Sequence, residues 1–232
     1  MKTIGVIGGM SWESTVPYYR DMNELVKRRL GGLHSARVVL YSVDFAEVAR
    51  IQAAGAWNEA GMLMAHAAHS LQAAGADVVL LATNTMHEVA YAIEAAITVP
   101  FIHIADPTGE AIRTAGLTTV GLLGTRFTME RDFYRARLAE RHGIAVVTPA
   151  EADRAEVHRV IYEELALGVI SERSRNAFAA IIERLADDGA EGVILGCTEI
   201  PLLVRQEGSA LPLFDTGALH VRAAVDFALA EE

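Results

Sequence analysis

The chain has 232 residues, enough for one large domain or two modest ones, and 52% of them are hydrophobic, so a full core can be buried. A net charge of −10, spread along the chain, lacks the basic footprint of a nucleic-acid binder and reads as a solvated acidic surface. One cysteine excludes an internal disulfide and any Cys-rich zinc or iron–sulfur site, and no apolar run approaches the roughly 20 residues that span a bilayer.

The first predicted strand is Thr3–Ile7. The N-terminus has no signal-peptide architecture, which with the lone cysteine leads us to expect a reducing, cytoplasmic home without membrane attachment. The loop Gly5-Val6-Ile7-Gly8-Gly9-Met10 has the wrong spacing for a dinucleotide fingerprint, and no phosphate-binding P-loop is present. Gly8 and Gly9 are instead expected to let the backbone approach a small ligand closely. A second strand is expected at Ala36–Tyr41, then a helix over Glu59–Ala74 that stops at Gly75. The strand Asp77–Leu81 leads into Thr83-Asn84-Thr85, which read either as helix caps or as donors to a carboxylate ligand. His87 lies four residues after Thr83 and reads as a proton relay or as a satisfied structural histidine. A strand at Pro100–Ile104 closes this half.

The second half repeats the first. Thr119–Leu123, Ile144–Thr148, Gly192–Leu195 and Leu211–Phe214 are its strands, and the helix Asn176–Asp187 stops at Gly189. The segment from Gly75 to Met86 matches Gly189 to Ile200 at an offset of 114 residues, so Thr83 corresponds to Cys197. Thr3–Gly8 likewise matches Thr119–Gly124, and Val99–Ile102 matches Leu211–Phe214. Such a repeat of strand–helix units predicts an α/β protein of two pseudo-symmetric lobes, each a parallel sheet flanked by helices. The expected division is residues 1–104 plus 216–232, with a last helix over Thr216–Glu231, against residues 105–215. Ligand sites favour the carboxyl ends of parallel strands and domain interfaces, so the site is expected in the cleft between the lobes. Cys197 is expected to open a short helix whose N–H groups lower the thiol pKa; the alternative is an inert buried cysteine. Glu199 reads as a proton relay or as a first-turn acid. The eight histidines are scattered and predict no metal site.

Five motifs together resemble the aspartate/glutamate racemase superfamily along the full length: Gly8-Gly9-Met10-Ser11-Trp12-Glu13-Ser14-Thr15, Ser42-Val43-Asp44-Phe45, Asn84-Thr85-Met86-His87, Leu123-Gly124-Thr125-Arg126 and Gly196-Cys197-Thr198-Glu199-Ile200. The resemblance implies a cofactor-independent enzyme that inverts amino acids, without pyridoxal phosphate, between two opposed acid/base residues that are usually both cysteines. The chain departs from that pattern at Thr83, where the family usually has cysteine. It is most similar to the branch with a threonine and a cysteine, which includes L-aspartate/glutamate-specific and broad-specificity racemases. By that resemblance Cys197 is the base on the L-substrate and Thr83 serves the opposite face. Asn84, Thr85, Thr125 and Thr198 are the expected donors to the substrate. Met10 and Gln52 are expected to line the pocket, with His87, Arg126, Tyr162 and Glu199 in support. Some aspartate racemases carry a basic residue near the segment that here reads Ile161 to Gly168, and none stands in it. A small-molecule amino acid is the expected partner, and a homodimer the expected assembly. Competing readings are a single-cysteine decarboxylase or isomerase of a small dicarboxylate, and a non-catalytic carboxylate-binding protein.

Overall fold

The computed structural model describes residues 1–230. The chain divides into two compact units, Met1–Ile104 joined by the residues from His220 onward, and Ala105–Leu219. The first holds strands β1 (Ile4–Gly8), β2 (Val38–Ser42), β3 (Val78–Leu81) and β4 (Phe101–Ile102) in the order β2-β1-β3-β4, all parallel. The second holds β5 (Thr119–Gly124), β6 (Ala145–Val147), β7 (Val193–Gly196) and β8 (Leu213–Asp215) in the order β6-β5-β7-β8, again all parallel. Each expected strand forms. The fourth of each lobe starts later than expected because Pro100 and Pro212 lack an N–H; their carbonyls still accept from Val79 and Val193.

Side chains alternate across the sheets as strand geometry requires. In the first lobe Ile7, Val79 and Leu81 pack on one face, beneath helices α2 (Phe45–Ala53) and α3 (Trp57–Ala73). Ile4, Val6, Val78 and Leu80 pack on the other, against α1 (Trp12–Leu30) and α11 (Thr216–Leu229). The short α4 (Ala90–Ala96) completes the first face. The expected end of the last helix at Glu231 lies outside the described residues. The second lobe carries α5 (Ala105–Thr114), α6 (Arg126–Glu130), α7 (Asp132–His142), α8 (Glu151–Glu163), α9 (Glu172–Asp187) and α10 (Ile200–Leu203). One face of its sheet buries Val157, Val160 and Ile161 of α8 with Phe178, Ile181 and Leu185 of α9.

The repeat extends to the way the helices stop. Gly75 has φ +90° and Gly189 has φ +93°, the left-handed side of backbone space where glycine carries no Cβ penalty. Gly75 donates to Gln72 and Ala76 to Leu71; Gly189 donates to Ala186 and Ala190 to Leu185. These paired bonds end α3 and α9 in the same way and launch β3 and β7 from the same position.

Candidate active site

In the first lobe the chain leaves β1 through Gly8 and Gly9. A Cβ on Gly8 would meet the Thr15 side chain at 2.6 Å, and one on Gly9, at φ +91°, would run into the main chain of Val43. The protein's own packing therefore demands glycine at both positions. The Gly9 N–H donates to the Thr15 hydroxyl at 2.8 Å, which ties the loop to the start of α1. Met10 is buried in the same cluster as Met86, and the Gln52 amide donates to the Met86 sulfur at 3.1 Å.

Thr83 lies two residues past the end of β3 and is 7% exposed. Asn84 and Thr85 follow at the start of a 3₁₀ turn, both buried, and the Asn84 side chain does not cap that turn. The cap alternative is not what its amide does. His87 is fixed from both sides. Its Nε2 accepts the Ile104 N–H at 3.1 Å, so the ring proton sits on Nδ1, which donates to the Thr83 carbonyl at 2.7 Å. The histidine acts as a clamp on the Thr83 backbone. It also contacts His103, ring centroids 4.3 Å apart.

In the second lobe Cys197 directly follows β7. Its Sγ donates to Glu199 Oε2 at 2.9 Å, and the Thr198 hydroxyl donates to the same oxygen at 3.1 Å. Glu199 is buried and stands at the N-cap position of α10, so the expected helix begins three residues later than Cys197. The expected low thiol pKa is overturned. Burial is the main cause that pushes the thiol well above its ordinary value, and the Glu199 carboxylate adds to it; the N–H groups of Glu199 and Thr198 pull the other way without winning. Cys197 is thus a proton donor to Glu199 in the resting state rather than a standing thiolate.

Thr125 caps α6, accepting the Thr128 N–H at 3.3 Å, and places Arg126 at the helix start. Tyr162 stands near the thiol: burial first, then the charge that Cys197 carries when ionised and that of Glu199, raise its phenol, while Arg126 opposes them. His158, one helical turn earlier on α8, packs on Tyr162 with centroids 4.7 Å apart. Its Nδ1 accepts the Arg126 N–H at 3.2 Å, so its proton lies on Nε2. Burial and the Arg126 charge lower its pKa below 6.5. Sequence reasoning missed His158; its four-residue spacing from Tyr162 was the available signal. The Arg126 guanidinium has no acidic partner among the described residues and lies over the Phe127 ring, 5.8 Å from its centroid.

The first lobe therefore groups Met10, Gln52, Thr83, Asn84, Thr85 and His87. The second groups Thr125, Arg126, Tyr162, Cys197, Thr198 and Glu199. Among the described residues no cluster of three or more potential metal ligands exists, and no helix is long and apolar enough to cross a membrane.

A family model for Asp/Glu/Hydantoin racemase matches residues 7–224. The chain belongs to this family. It is accordingly an amino-acid racemase, an isomerase, and the racemases of the family work without pyridoxal phosphate. A solved structure of a candidate Asp/Glu racemase from Yersinia pestis is 56% identical, with a TM-score of 0.92, covering 99% of this chain and 100% of that one. An aspartate racemase homologue from Pyrococcus horikoshii OT3 is 35% identical with a TM-score of 0.85, over 99% of this chain and 100% of that one. A glutamate racemase from Herpetosiphon aurantiacus is 30% identical over 149 residues, which are 62% of this chain and 56% of that enzyme's length.

Proposed function

We propose that this racemase acts on aspartate, glutamate or closely related amino acids, with Cys197 as the base on the L-substrate and Thr83 on the opposite face. The observation that carries the reading is the Cys197 thiol aimed at a buried carboxylate, Glu199, at the end of the strand equivalent to the one that leads to Thr83. The Glu199 carboxylate takes the thiol proton, and the thiolate takes the α-proton of the bound substrate. The electron pair left on the α-carbon spreads into the substrate carboxylate, where donors from Asn84, Thr85, Thr125 and Thr198 hold the developing charge. Thr83, or a water it holds, delivers a proton to the other face. A neutral alcohol is a poor base, so removal of the D-proton is slower than removal of the L-proton.

The Arg126 guanidinium, unpaired and within electrostatic reach of Tyr162, is our choice for the side-chain carboxylate of the substrate. Names of the relatives, an Asp/Glu racemase, an aspartate racemase homologue and a glutamate racemase, agree with that substrate class. We also propose a cytoplasmic homodimer. The lone cysteine suits a reducing compartment. Trp12, Val16 and Tyr19 make an exposed apolar stripe along one face of α1 suited to self-association. Chiral chromatography after incubation with L-glutamate or L-aspartate tests the substrate reading: the D-enantiomer should appear with both. Its absence for both acids would sink the assignment.

A further inference from the structure

The second lobe contains a cavity of about 420 Å³ beside the end of α10, with none of Cys197, Thr198 and Glu199 in its lining. Arg175, Asn176 and Ala179 of α9 form one wall, and Leu203, Arg205 and Glu207 stand on the other. The volume is that of a site for a small organic molecule. Arg175 donates from Nη1 to the Leu203 carbonyl at 2.7 Å, so it is tied to the last residue of α10. Its Nε lies 3.5 Å from Glu172. Arg205 has no acidic partner among the described residues. A second cavity of about 220 Å³ continues past Ala179 and Gly208, lined by apolar Ile182 and Leu211 and by acidic Glu183 and Asp187. The larger cavity therefore carries two guanidinium groups and one carboxylate around apolar Ala179 and Leu203, and the smaller one carries two carboxylates.

We propose that the larger cavity is a second binding site, for a free aliphatic amino acid. Its carboxylate is held by Arg205 and Arg175, where a guanidinium fork matches carboxylate geometry. Its ammonium, on the same carbon, faces Glu207 of the same cavity, and its side chain lies against Ala179 and Leu203. An anion alone would meet the Glu207 charge, and a cation alone would meet two guanidinium groups; a zwitterion satisfies both. Occupancy competes for Arg175, loosens its hold on Leu203, and so reaches the Cys197-Thr198-Glu199 turn through the four-residue α10. This coupling rests on the racemase reading, whereas the binding does not.

Isothermal calorimetry with L-valine as the probe tests it, with wild type, Arg205→Ala and Glu207→Gln, and with isovalerate and isobutylamine as single-charge controls. Saturable one-to-one valine binding is expected in wild type, weaker by about tenfold or more in each variant, as loss of a charged hydrogen bond implies, and weaker by a similar factor for each control. Both variants should turn over glutamate at the wild-type rate, and valine should change that rate only in wild type. No valine binding in wild type, binding unchanged in Arg205→Ala, or controls that bind as well as valine would each overturn the proposal. A protein that binds valine in this pattern but racemises nothing would keep the site and end the racemase reading.

Discussion

The sulfur of Cys197 lies 2.9 Å from Oε2 of Glu199, two residues along the chain, and donates its proton to it. A buried thiol of raised pKa is a poor base by itself; beside a carboxylate it has a place to put its proton at the moment the substrate arrives. Replacement of Glu199 by glutamine should lower L-substrate turnover by about 10²- to 10⁴-fold, the usual scale of a lost general base. The thiolate itself should form at lower pH in the variant, because the carboxylate charge that helps hold the thiol up is gone. Ultraviolet titration of the thiolate and steady-state rates read the two effects separately. Turnover that is unchanged in Glu199→Gln would remove Glu199 from the account.

Thr83 and Cys197 end up at matching places because Gly75 and Gly189 stop their helices with the same pair of hydrogen bonds. If Thr83 limits inversion by being a weak base, Thr83→Cys should raise kcat/KM for inversion by about tenfold or more in both directions, because both cross the same barrier at that face, and leave α-hydrogen exchange of L-glutamate within a few-fold. A variant slower in both directions would contradict that role.

Arg126 is exposed and lacks an acidic partner among the described residues. Arg126→Ala should reduce kcat/KM for glutamate and aspartate by about 10- to 100-fold, the scale of a charged hydrogen bond, while any turnover of homoserine, an amino acid without a side-chain carboxylate, changes less than about threefold. Equal losses on all three substrates would point to a structural role for Arg126.

His158 supplies a pH dependence of stability. Its folded-state pKa is lowered by burial first and by the Arg126 charge second, and its Nδ1 accepts the Arg126 N–H. The unfolded chain therefore takes up a proton first as pH falls below 6.5, and the stability that His158 contributes is full above that value and lost on acidification toward the folded pKa. Thermal melts across this range should show a smaller acid-induced fall in Tm for His158→Gln than for wild type.

Much of this architecture could be read in advance, and for physical reasons. Strands buried on both faces are short apolar runs, so Val78–Leu81 and Val193–Gly196 stood out, and the glycine before each marked the helix stop. What stayed hidden depends on residues distant in sequence. The Arg126 N–H finds His158 across 32 residues, and the Ile104 N–H finds His87 across 17. Neither bond has a periodic signature. The direction of the Cys197 pKa was misjudged because backbone donors are visible from a strand–turn–helix pattern, whereas the extent of burial is a tertiary property. The crowding at Gly8 and Gly9 is likewise tertiary: the side chain and backbone that meet them belong to Thr15 and Val43.

In the proposed reaction, sulfur and alcohol work on opposite faces of one α-carbon. Proton NMR in heavy water, following the α-hydrogen of L- and D-glutamate with wild type and Cys197→Ser, tests it most directly. Fast loss of the L-signal and slow loss of the D-signal are expected in wild type, with the L-exchange abolished in the variant. Retention of L-exchange by Cys197→Ser, or equal rates for the two enantiomers in wild type, would contradict it.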